Sequence, residues 1–431
     1  MVRNQIFRSE WIRTLLLVVI ATTVCLSACS NDSLSMAPPN LTPSLALKSP
    51  RFPDLTGACT VARGGFPTPN PSEISLVRPV STEDWVKGPA NARLTFIEFG
   101  DYQCPYCARI APILAQLQKN FPADVRIVYR HFPLPSHDKA LISTQAAEAA
   151  GMQGKFWEMH ELLYAQSQSW GRLSEDEFVA YAVDAAKKMG LDEKKFADDL
   201  RSEAVARKAL KAQMEAIEAK IGGTPLLILN GRPYFGAIGD REYNAPADLE
   251  NLSAIVRLYQ IDDKQFNTCP EFTIDPAKQY TAILVTEKGE IVIQLFAAKA
   301  PVTVNSFVFL ARQGWFDNTI FHRVVQNSFI QGGDPSGSGM GSPGYAFRDE
   351  ISDLKFDKEG MVGMVNQGAN TNGSQFFITL SPQSALNGRF TVFGQVIRGM
   401  EVARKLTPRD SSRGGTLPPG DRLIRVIIEE K

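Results

Sequence analysis

Residues 94–107 read LTFIEFGDYQCPYC, and this stretch decides the fold of the first half of the chain. Its apolar, β-branched and aromatic start predicts a buried strand. Apolar residues at helical spacing follow the second cysteine and predict an amphipathic helix, kinked at Pro112. Cys104 would therefore lie at a helix N-terminus, where free N–H groups and the helix dipole stabilise a thiolate. Cys107, one turn further along, would be shielded and would act as the second thiol of a redox pair.

The sequence around this pair has two further informative features. Glu98 stands six residues before Cys104, and Gly223-Thr224-Pro225 precedes another apolar run. With the Cys-x-x-Cys pair, these features make residues from about 90 to 262 resemble the thioredoxin superfamily, in its DsbA-like branch with a helical insertion. The resemblance implies that Glu98 is a buried acid that carries protons for the inner cysteine. It also implies that Pro225 lies in a cis-proline loop facing the redox pair.

The residues between and around the cysteines leave several interpretations open. Tyr106 stands where DsbA has a histidine. Because a tyrosine carries no positive charge, we expect a less oxidising pair, and the oxidase, isomerase and reductase directions all stay open. A zinc half-site and an inert structural disulfide are alternatives. His131, His137 and His160 lack ligand spacing to the pair, so the sequence implies no metal.

The second half of the chain is recognised from four segments: Phe321-His322-Arg323, FIQGGD at 329–334, NTNGSQFF at 370–377 and LNG at 386–388. Short apolar runs between Gly-, Asn- and Ser-rich turns predict an antiparallel barrel. The segments, in this order, closely resemble the cyclophilin family of peptidyl-prolyl isomerases over the whole second domain. The predicted fold class is thus an α/β thioredoxin-like fold with a helical insertion, followed by an eight-stranded antiparallel cyclophilin β-barrel with two helices.

The chemistry of this family suits the residue types present. Rotation about an X–Pro bond breaks amide resonance against a barrier of ~18–20 kcal/mol and needs no nucleophile. A guanidinium near the prolyl nitrogen stabilises the lone pair that localises in the twisted state. By the resemblance, Arg323 has this role, Gln331 holds the substrate backbone, and His322 is a supporting residue. The resemblance assigns substrate binding to four further residues: Phe329, Asn366, Phe377 and Leu386.

Four positions depart from the common cyclophilin pattern: Val365 for a small alanine, and Ser328, Ala385 and Phe390 in place of a frequent Phe, Trp and His. Because Arg323, Gln331 and Phe377 remain, we expect isomerase activity that is weaker or has an altered peptide preference. The competing hypothesis is a membrane-tethered module that binds proline peptides without turning them over. In that case only the thioredoxin-like domain would be catalytic.

The N-terminus has the features of an export signal. Three arginines precede an uncharged run from Thr14 to Leu26, which is too short to span a bilayer. Leu26-Ser27-Ala28-Cys29 resembles the lipobox of bacterial lipoproteins, which implies cleavage after residue 28 and a lipid on Cys29. An ordinary secretory signal is the alternative. The Pro-, Ser- and Asn-containing residues 29–57 are interpreted as a flexible tether.

The predicted organisation continues with an irregular lead-in (58–82), the first domain (83–262), a linker (263–277) and the second domain (278–431). Cys59 and Cys269 bracket the first domain and are candidates for a structural disulfide in an oxidising compartment; two unpaired thiols are the alternative. Lys and Arg total 46, as do Asp and Glu. The net charge is therefore zero, which gives no support to a nucleic-acid partner.

Together these features predict an extracytoplasmic protein-folding factor, lipid-anchored to a bacterial membrane. Disulfide exchange and X–Pro isomerisation are both slow covalent steps in folding. The expected partners are folding secreted proteins, a redox partner protein and the membrane. A dedicated reductase for one client is a third hypothesis. No metal or organic cofactor is implied.

Overall fold

The chain is described by a computed structural model that covers residues 57–63, 77–234, 247–410 and 417–431. The predicted signal segment, Cys29 and most of the predicted tether lie outside the described residues. The described residues belong to one compact unit. Within these ranges no helix is long and apolar enough to cross a membrane.

The described secondary structure begins with a short strand, β1 (Cys59–Val61), and continues into the first domain (77–262). The strands of this domain are β2 (Trp85–Lys87), β3 (Leu94–Gly100), β4 (Val125–His131), β5 (Leu226–Leu229) and β6 (Arg232–Tyr234). Its helices are α1 (Pro105–Asn120), α2 (Ala140–Gly151), α3 (Phe156–Ala165), α4 (Ser167–Trp170), α5 (Glu175–Lys188), α6 (Glu193–Leu200), α7 (Glu203–Glu218) and α8 (Leu249–Gln260).

The first domain is built on a five-stranded sheet with the order β2-β4-β3-β5-β6. The central strand β3 runs parallel to β4 and antiparallel to β5. Leu114 and Leu117 of α1 pack with Leu252 and Val256 of α8 against strand residues such as Phe96. Helices α2 to α7 form the insertion between β4 and β5. The thioredoxin-like architecture predicted from residues 94–107 is therefore confirmed.

A second group of elements forms the rest of the described chain. The strands are β7 (Tyr280–Thr286), β8 (Gly289–Leu295), β9 (Thr319–Ile320), β10 (Arg323–Val325), β11 (Phe329–Gly332), β12 (Tyr345–Phe347), β13 (Met361–Met364), β14 (Phe376–Thr379), β15 (Val392–Arg398) and β16 (Arg422–Glu430). The helices are α9 (Pro301–Arg312) and α10 (Met400–Lys405), with 3₁₀ turns at Ile261–Lys264 and Ser384–Leu386.

The prediction of a closed eight-stranded barrel is wrong. The structure has a curled nine-stranded antiparallel sheet in the order β10-β11-β14-β13-β15-β8-β7-β16-β9. The difference arises at residues 319–325, which form two short strands: β9 pairs with β16 and β10 pairs with β11. Buried Phe321 and His322 connect them. Since only two residues separate the edge strands, the sheet curls towards closure without a ladder joining β9 to β10.

Strand β1, which the sequence does not predict, belongs with the second group. It pairs antiparallel with β12, with Cys59 opposite Phe347. A disulfide joins Cys59 to Cys269, across a sequence separation of 210 residues. Phe266 and Phe272 of the predicted linker pack against the core of the second group. Among the described residues, the second domain is thus formed by 57–63, 263–410 and 417–431, and the first domain is inserted after its first strand.

Candidate active sites

The two cysteines of the first domain lie where α1 begins. Cys104 is the N-cap residue of α1, and Cys107 lies one turn into the helix. The Cys104 N–H donates to the carbonyl oxygen of Asp101, and the Asp101 carboxylate accepts from the N–H groups of Gln103 and Leu134 at 2.7 Å each. Asp101 is buried, so these bonds fix the loop between β3 and α1. Both cysteines are free thiols in this structure.

The environment gives the two thiols opposite acidities. Hydrogen bonding from the Cys107 thiol, with help from the backbone of Tyr106 and Cys107, lowers the pKa of Cys104 to about 5, although burial opposes this. Burial raises the pKa of Cys107 far above its ordinary value, and the Cys104 thiolate and Glu98 add to the effect. At neutral pH the Cys104 thiol is therefore mostly ionised, which is the nucleophilic form, and the Cys107 thiol stays protonated.

Glu98 supplies a titratable carboxyl next to this pair. Its side chain is 1% exposed, and its Oε1 has no hydrogen-bond partner among the described residues. Burial, together with the negative charge of Cys104, raises the pKa of Glu98 to about 8. An acid with this pKa exchanges its proton near physiological pH, as a proton carrier must.

A buried aromatic cluster surrounds the inner thiol, and sequence reasoning missed it. Tyr102, Tyr129 and Tyr164 are almost fully buried in one core cluster with Cys107. The hydroxyls of Tyr129 and Tyr164 lie 2.8 Å apart, and the Tyr102 hydroxyl lies 3.2 Å from Nδ1 of His160. Burial lowers the pKa of His160 to about 3, so its ring is neutral. The cluster therefore offers hydrogen bonds without fixed charge.

The loop before β5 reaches the outer thiol. The Thr224–Pro225 peptide bond is cis, and Cys104 Sγ lies 3.3 Å from the Thr224 carbonyl oxygen. Tyr106 is exposed, and the guanidinium of Arg109 lies over its ring at 4.6 Å. A positive charge thus stands beside the site on the neighbouring turn, although Tyr106 itself carries none.

In the second domain, strand register brings three predicted residues together. Arg323 of β10 is directly opposite Gln331 of β11, which is directly opposite Phe377 of β14. Directly paired residues project from the same face of a sheet, and so does Phe329, two residues from Gln331. Gly363 faces Phe377 on β13. A Cβ at Gly363 would lie only 2.5 Å from Phe377, so the glycine leaves room for the ring.

Hydrogen bonds orient the polar side chains of this face. Gln331 Nε2 donates to Oε1 of Gln375 at 2.9 Å. Gln375 in turn donates to the carbonyl oxygens of Gly339 and Gly341. Asn366, on the loop after β13, donates to Asp349 and to the carbonyl oxygen of Arg389. Gln375 belongs to the segment at 370–377, but the sequence alone does not indicate that it orients Gln331.

An apolar cluster lies beside these groups. Phe377 packs against Phe329, Phe356 and Phe390, with ring centroids 6.2, 5.2 and 5.7 Å away. Leu386 and Val365 pack on the same cluster. Two departures from the family pattern, Val365 and Phe390, therefore contribute apolar surface here, whereas Ala385 is exposed. Phe356 was missed, because nothing in its local sequence distinguishes it from a core residue.

His322 adjoins the site but is suited to support rather than proton transfer. Its ring is 8% exposed, and burial lowers its pKa. A neutral, enclosed imidazole matches the role that the resemblance implies. Arg323 is 37% exposed and has an acidic neighbour, Asp410, that sequence reasoning also missed.

Comparisons with known proteins find matches for both domains. A family model described as cyclophilin type peptidyl-prolyl cis-trans isomerase matches residues 281–427, and one described as thioredoxin matches residues 81–257. The first domain is therefore thioredoxin-like.

The second domain has several known relatives. The chain is 46% identical to peptidyl-prolyl cis-trans isomerase CYP18-2 of Arabidopsis thaliana over 127 residues, which are 28% of this chain and 77% of that protein. It is also 46% identical over 146 residues to peptidyl-prolyl cis-trans isomerase A of Mycobacterium tuberculosis, covering 30% of this chain and 80% of that protein. A cyclophilin-type isomerase structure from Cryptosporidium parvum is 34% identical, with 35% and 98% of the two chains covered and a TM-score of 0.33.

The sequence match with the Arabidopsis isomerase covers more than two thirds of that protein, and the second domain of this chain holds Arg323, Gln331, Phe329 and Phe377 on one face. The chain belongs to the cyclophilin-type peptidyl-prolyl cis-trans isomerases.

Proposed function

We propose that this protein is an extracytoplasmic folding factor that combines prolyl isomerisation with thiol–disulfide exchange. The observation that carries the redox half is the opposite acidity of Cys104 and Cys107 beside buried Glu98. Uncatalysed prolyl isomerisation takes about 10–100 s, and disulfide reshuffling takes from seconds to hours. One chain that catalyses both removes two slow steps from the folding of the same clients, which are secreted proteins.

The redox step follows from the two pKa values. The Cys104 thiolate attacks a client disulfide, one S–S bond forms as another breaks, and the client sulfur leaves as a thiolate. Cys107 then attacks Cys104, releases the second client thiolate and passes its proton to Glu98. The client gains two electrons and the protein becomes a disulfide. The reverse sequence oxidises a client dithiol, and a redox partner protein restores the starting state.

The isomerase step uses the aligned face of the second domain. The pocket of Phe329, Phe377 and Leu386 takes the proline ring, while Gln331 and Asn366 bind the adjoining backbone. The Arg323 guanidinium stabilises the lone pair on the prolyl nitrogen as amide resonance is lost. This interaction strengthens only in the twisted state, and it therefore lowers the barrier.

Two features support a location outside the cytoplasm. The first is the lipobox-like sequence ending at Cys29, which implies a lipid anchor on a bacterial membrane. The second is the Cys59–Cys269 disulfide, because such bonds persist in oxidising compartments and are rare in the cytosol. Labelling with a radioactive fatty acid, in wild type and in a Cys29→Ser variant, tests the anchor. Absence of label in the wild type rejects it.

The isomerase half is tested with an Ala–Pro peptide and the purified chain. We expect turnover that falls by about a hundredfold in Arg323→Ala, because one electrostatic donor to the transition state is lost. Arg398→Ala is the matched control, since its guanidinium pairs with exposed Glu290 on a different strand. A folded wild-type protein that does not exceed the uncatalysed rate would favour the peptide-binding hypothesis instead.

The redox half is tested by equilibrating the chain with glutathione mixtures. We expect Cys104 and Cys107 to cycle between dithiol and disulfide, and Cys104→Ser to abolish reduction of a peptide disulfide. The measured potential distinguishes the directions: a low value favours a reductase, and a high value favours an oxidase. A pair that neither reduces nor oxidises a client would reject the redox function.

A further inference from the structure

The Arg323 side chain is held from two sides. Its Nε lies 3.4 Å from Oδ1 of Asp410, and its Cζ lies 5.1 Å from the ring centre of Phe329. Asp410 is 12% exposed, so water screens this pair only partly. A guanidinium has five N–H donors, and a carboxylate at Nε leaves the two terminal amino groups for a substrate. The ion pair thus orients the Arg323 guanidinium and leaves its terminal amino groups available to a substrate.

The backbone fixes where Asp410 stands. Residue 409 pairs with β10 as an added antiparallel bridge: Val324 N–H donates to the Arg409 carbonyl at 2.7 Å, and Arg409 N–H donates to the Val324 carbonyl at 2.9 Å. Val324 and Arg409 each adjoin one member of the ion pair in sequence. The distance between Arg323 and Asp410 is therefore set by a hydrogen-bonded backbone pair.

The Arg409 side chain connects this bridge to the other domain. It is 3% exposed, and its Nε donates to the His322 carbonyl oxygen at 3.2 Å. One terminal nitrogen lies 3.7 Å from Oε1 of Glu250, a residue of α8 in the first domain. A buried guanidinium needs a counter-charge, because a charge removed from water without a partner is destabilising. Glu250 provides negative charge here. Asp248 adds further negative charge near Arg409, whereas Arg257 adds positive charge.

A second connection starts from the same helix. Arg257 lies 3.3 Å from Glu250 Oε1, and its Nε donates to the Ser336 carbonyl oxygen at 2.9 Å. Asp334 accepts from the N–H groups of Ser336, Gly339 and Gly341 and so holds that loop together. The carbonyl oxygens of Gly339 and Gly341 in this loop accept hydrogen bonds from Gln375, and Gln375 orients Gln331. Helix α8 thus contacts the supports of both Arg323 and Gln331.

We propose that Asp410 and Glu250 are positioning residues of the prolyl isomerase, with Asp410 orienting Arg323 directly and Glu250 holding the Arg409–Asp410 segment from the first domain. The isomerase site is then completed by a side chain of the thioredoxin-like domain. Neither residue touches the reacting amide. Both act on the orientation of a guanidinium whose effect is felt in the transition state, so their loss lowers kcat while KM changes little.

The kinetic test uses Ala–Pro isomerisation by the full chain with Asp410→Asn and Glu250→Gln. Both substitutions remove a charge and keep the shape. We expect kcat to fall about tenfold for Asp410→Asn and about threefold for Glu250→Gln, with KM within about twofold of wild type, as for a misoriented catalytic group. In an Arg323→Ala background neither substitution lowers turnover further. Glu203→Gln is the control, because Glu203 pairs with Arg207 on an exposed face of the same domain.

A spectroscopic test does not depend on turnover. In the ¹⁵N spectrum of the full chain, the Nε–H signal of Arg323 is identified by its loss in Arg323→Lys. We expect slow exchange of this proton with water in wild type, faster exchange in Glu250→Gln and the fastest in Asp410→Asn. If the wild type proves inactive as an isomerase, this measurement still decides whether the positioning network exists.

Three results would overturn the proposal. One is a kcat for Asp410→Asn at or above that of wild type. Another is a Glu250→Gln variant with unchanged kcat and unchanged Arg323 exchange. The third is a parallel loss of kcat and substrate affinity with a lowered unfolding temperature, since that pattern indicates a merely structural role.

Discussion

Cys104 Sγ lies 3.3 Å from the main-chain carbonyl oxygen of Thr224, although 120 residues separate the two in sequence. The thiol comes from the start of α1 and the carbonyl from the loop before β5, with the whole helical insertion between them. The pairing of β3 with β5 brings the sulfur and this carbonyl together. Thiol reactivity consequently reports on the folded first domain as well as on its chemistry.

The first prediction concerns the acidity of Cys104. Ultraviolet absorbance of the thiolate should titrate with a midpoint near pH 5. Cys107→Ala should raise this midpoint by at least about one pH unit, because the Cys107 thiol is the main group stabilising the thiolate. Cys104→Ser removes the signal and is the control. A midpoint near 8.5, that of an ordinary thiol, would contradict the assigned environment.

The second prediction concerns Glu98 as a proton carrier. Release of a peptide from a mixed disulfide on Cys104 requires Cys107 to lose its proton. Since the ionised form of Glu98 accepts that proton, the release rate should rise as pH increases through about 8. Glu98→Gln should abolish this rise and slow release at pH 8 by at least about tenfold. Single-turnover quench experiments measure both. The initial attack by Cys104 should be unaffected, and an unchanged release rate would reject the role.

The third prediction concerns stability. The pKa of Glu98 is raised in the folded state, so the unfolded chain releases this proton at lower pH than the folded protein does. The contribution of protonated Glu98 to the free energy of unfolding is therefore fully present below about pH 4.5, and it is lost as pH rises towards 8. At 1.36 kcal/mol per unit, the loss amounts to at most about 5 kcal/mol. Urea unfolding of Glu98→Gln should lack this decline, so the variant gains on wild type as pH rises. Parallel stability curves would disprove the pKa shift.

The fourth prediction concerns the proline pocket. Phe329→Ala removes a ring that contacts both Arg323 and Phe377. We expect kcat/KM for an Ala–Pro peptide to fall about tenfold, through lost pocket surface and a lost cation–π contact. Phe309→Ala is the control, since that half-buried ring packs on Phe266 away from the pocket face. An equal loss in both variants would indicate general destabilisation.

The fifth prediction concerns the bond between β1 and the linker. Replacing both Cys59 and Cys269 by serine should lower the free energy of unfolding by about 2–5 kcal/mol. Denaturant unfolding measures this change. Wild type treated with a reductant should match the variant. The Cys104→Ser/Cys107→Ser protein should respond to reductant as wild type does, because its structural disulfide is intact. A variant as stable as wild type would show that β1 is held by strand pairing alone.

Local sequence patterns predicted the elements that surround both sites. The apolar run at 94–99 and the spacing of Ile110, Leu114 and Leu117 predict β3 and α1 because strand and helix periods differ. Ser174 and Glu177 form the capping box that their spacing predicts. The four segments quoted around and after Arg323, in their order along the chain, also indicate the family that the comparisons show.

Contacts between segments that are distant in the chain could not be predicted from the sequence. The division of 319–325 into β9 and β10 depends on which neighbours each residue meets, and residues 59–61 contain too few residues to show a strand period. In the sequence alone, nothing distinguishes three charged residues from ordinary surface charges: Glu250, Arg409 and Asp410. Their roles follow from a backbone bridge and from the approach of α8, and local periodicity contains neither.

The pairing of β1 with β12 has a consequence for the order in which the chain is made. Translation at about 5–20 residues per second needs about 10–40 s to add the 210 residues between Cys59 and Cys269. The first strand of the isomerase domain, β1, therefore has no partner strand while the whole thioredoxin-like domain is synthesised. During this interval the thiol of Cys59 and the thiols of Cys104 and Cys107 are present without Cys269. The isomerase domain is completed last, after the thioredoxin-like domain has emerged.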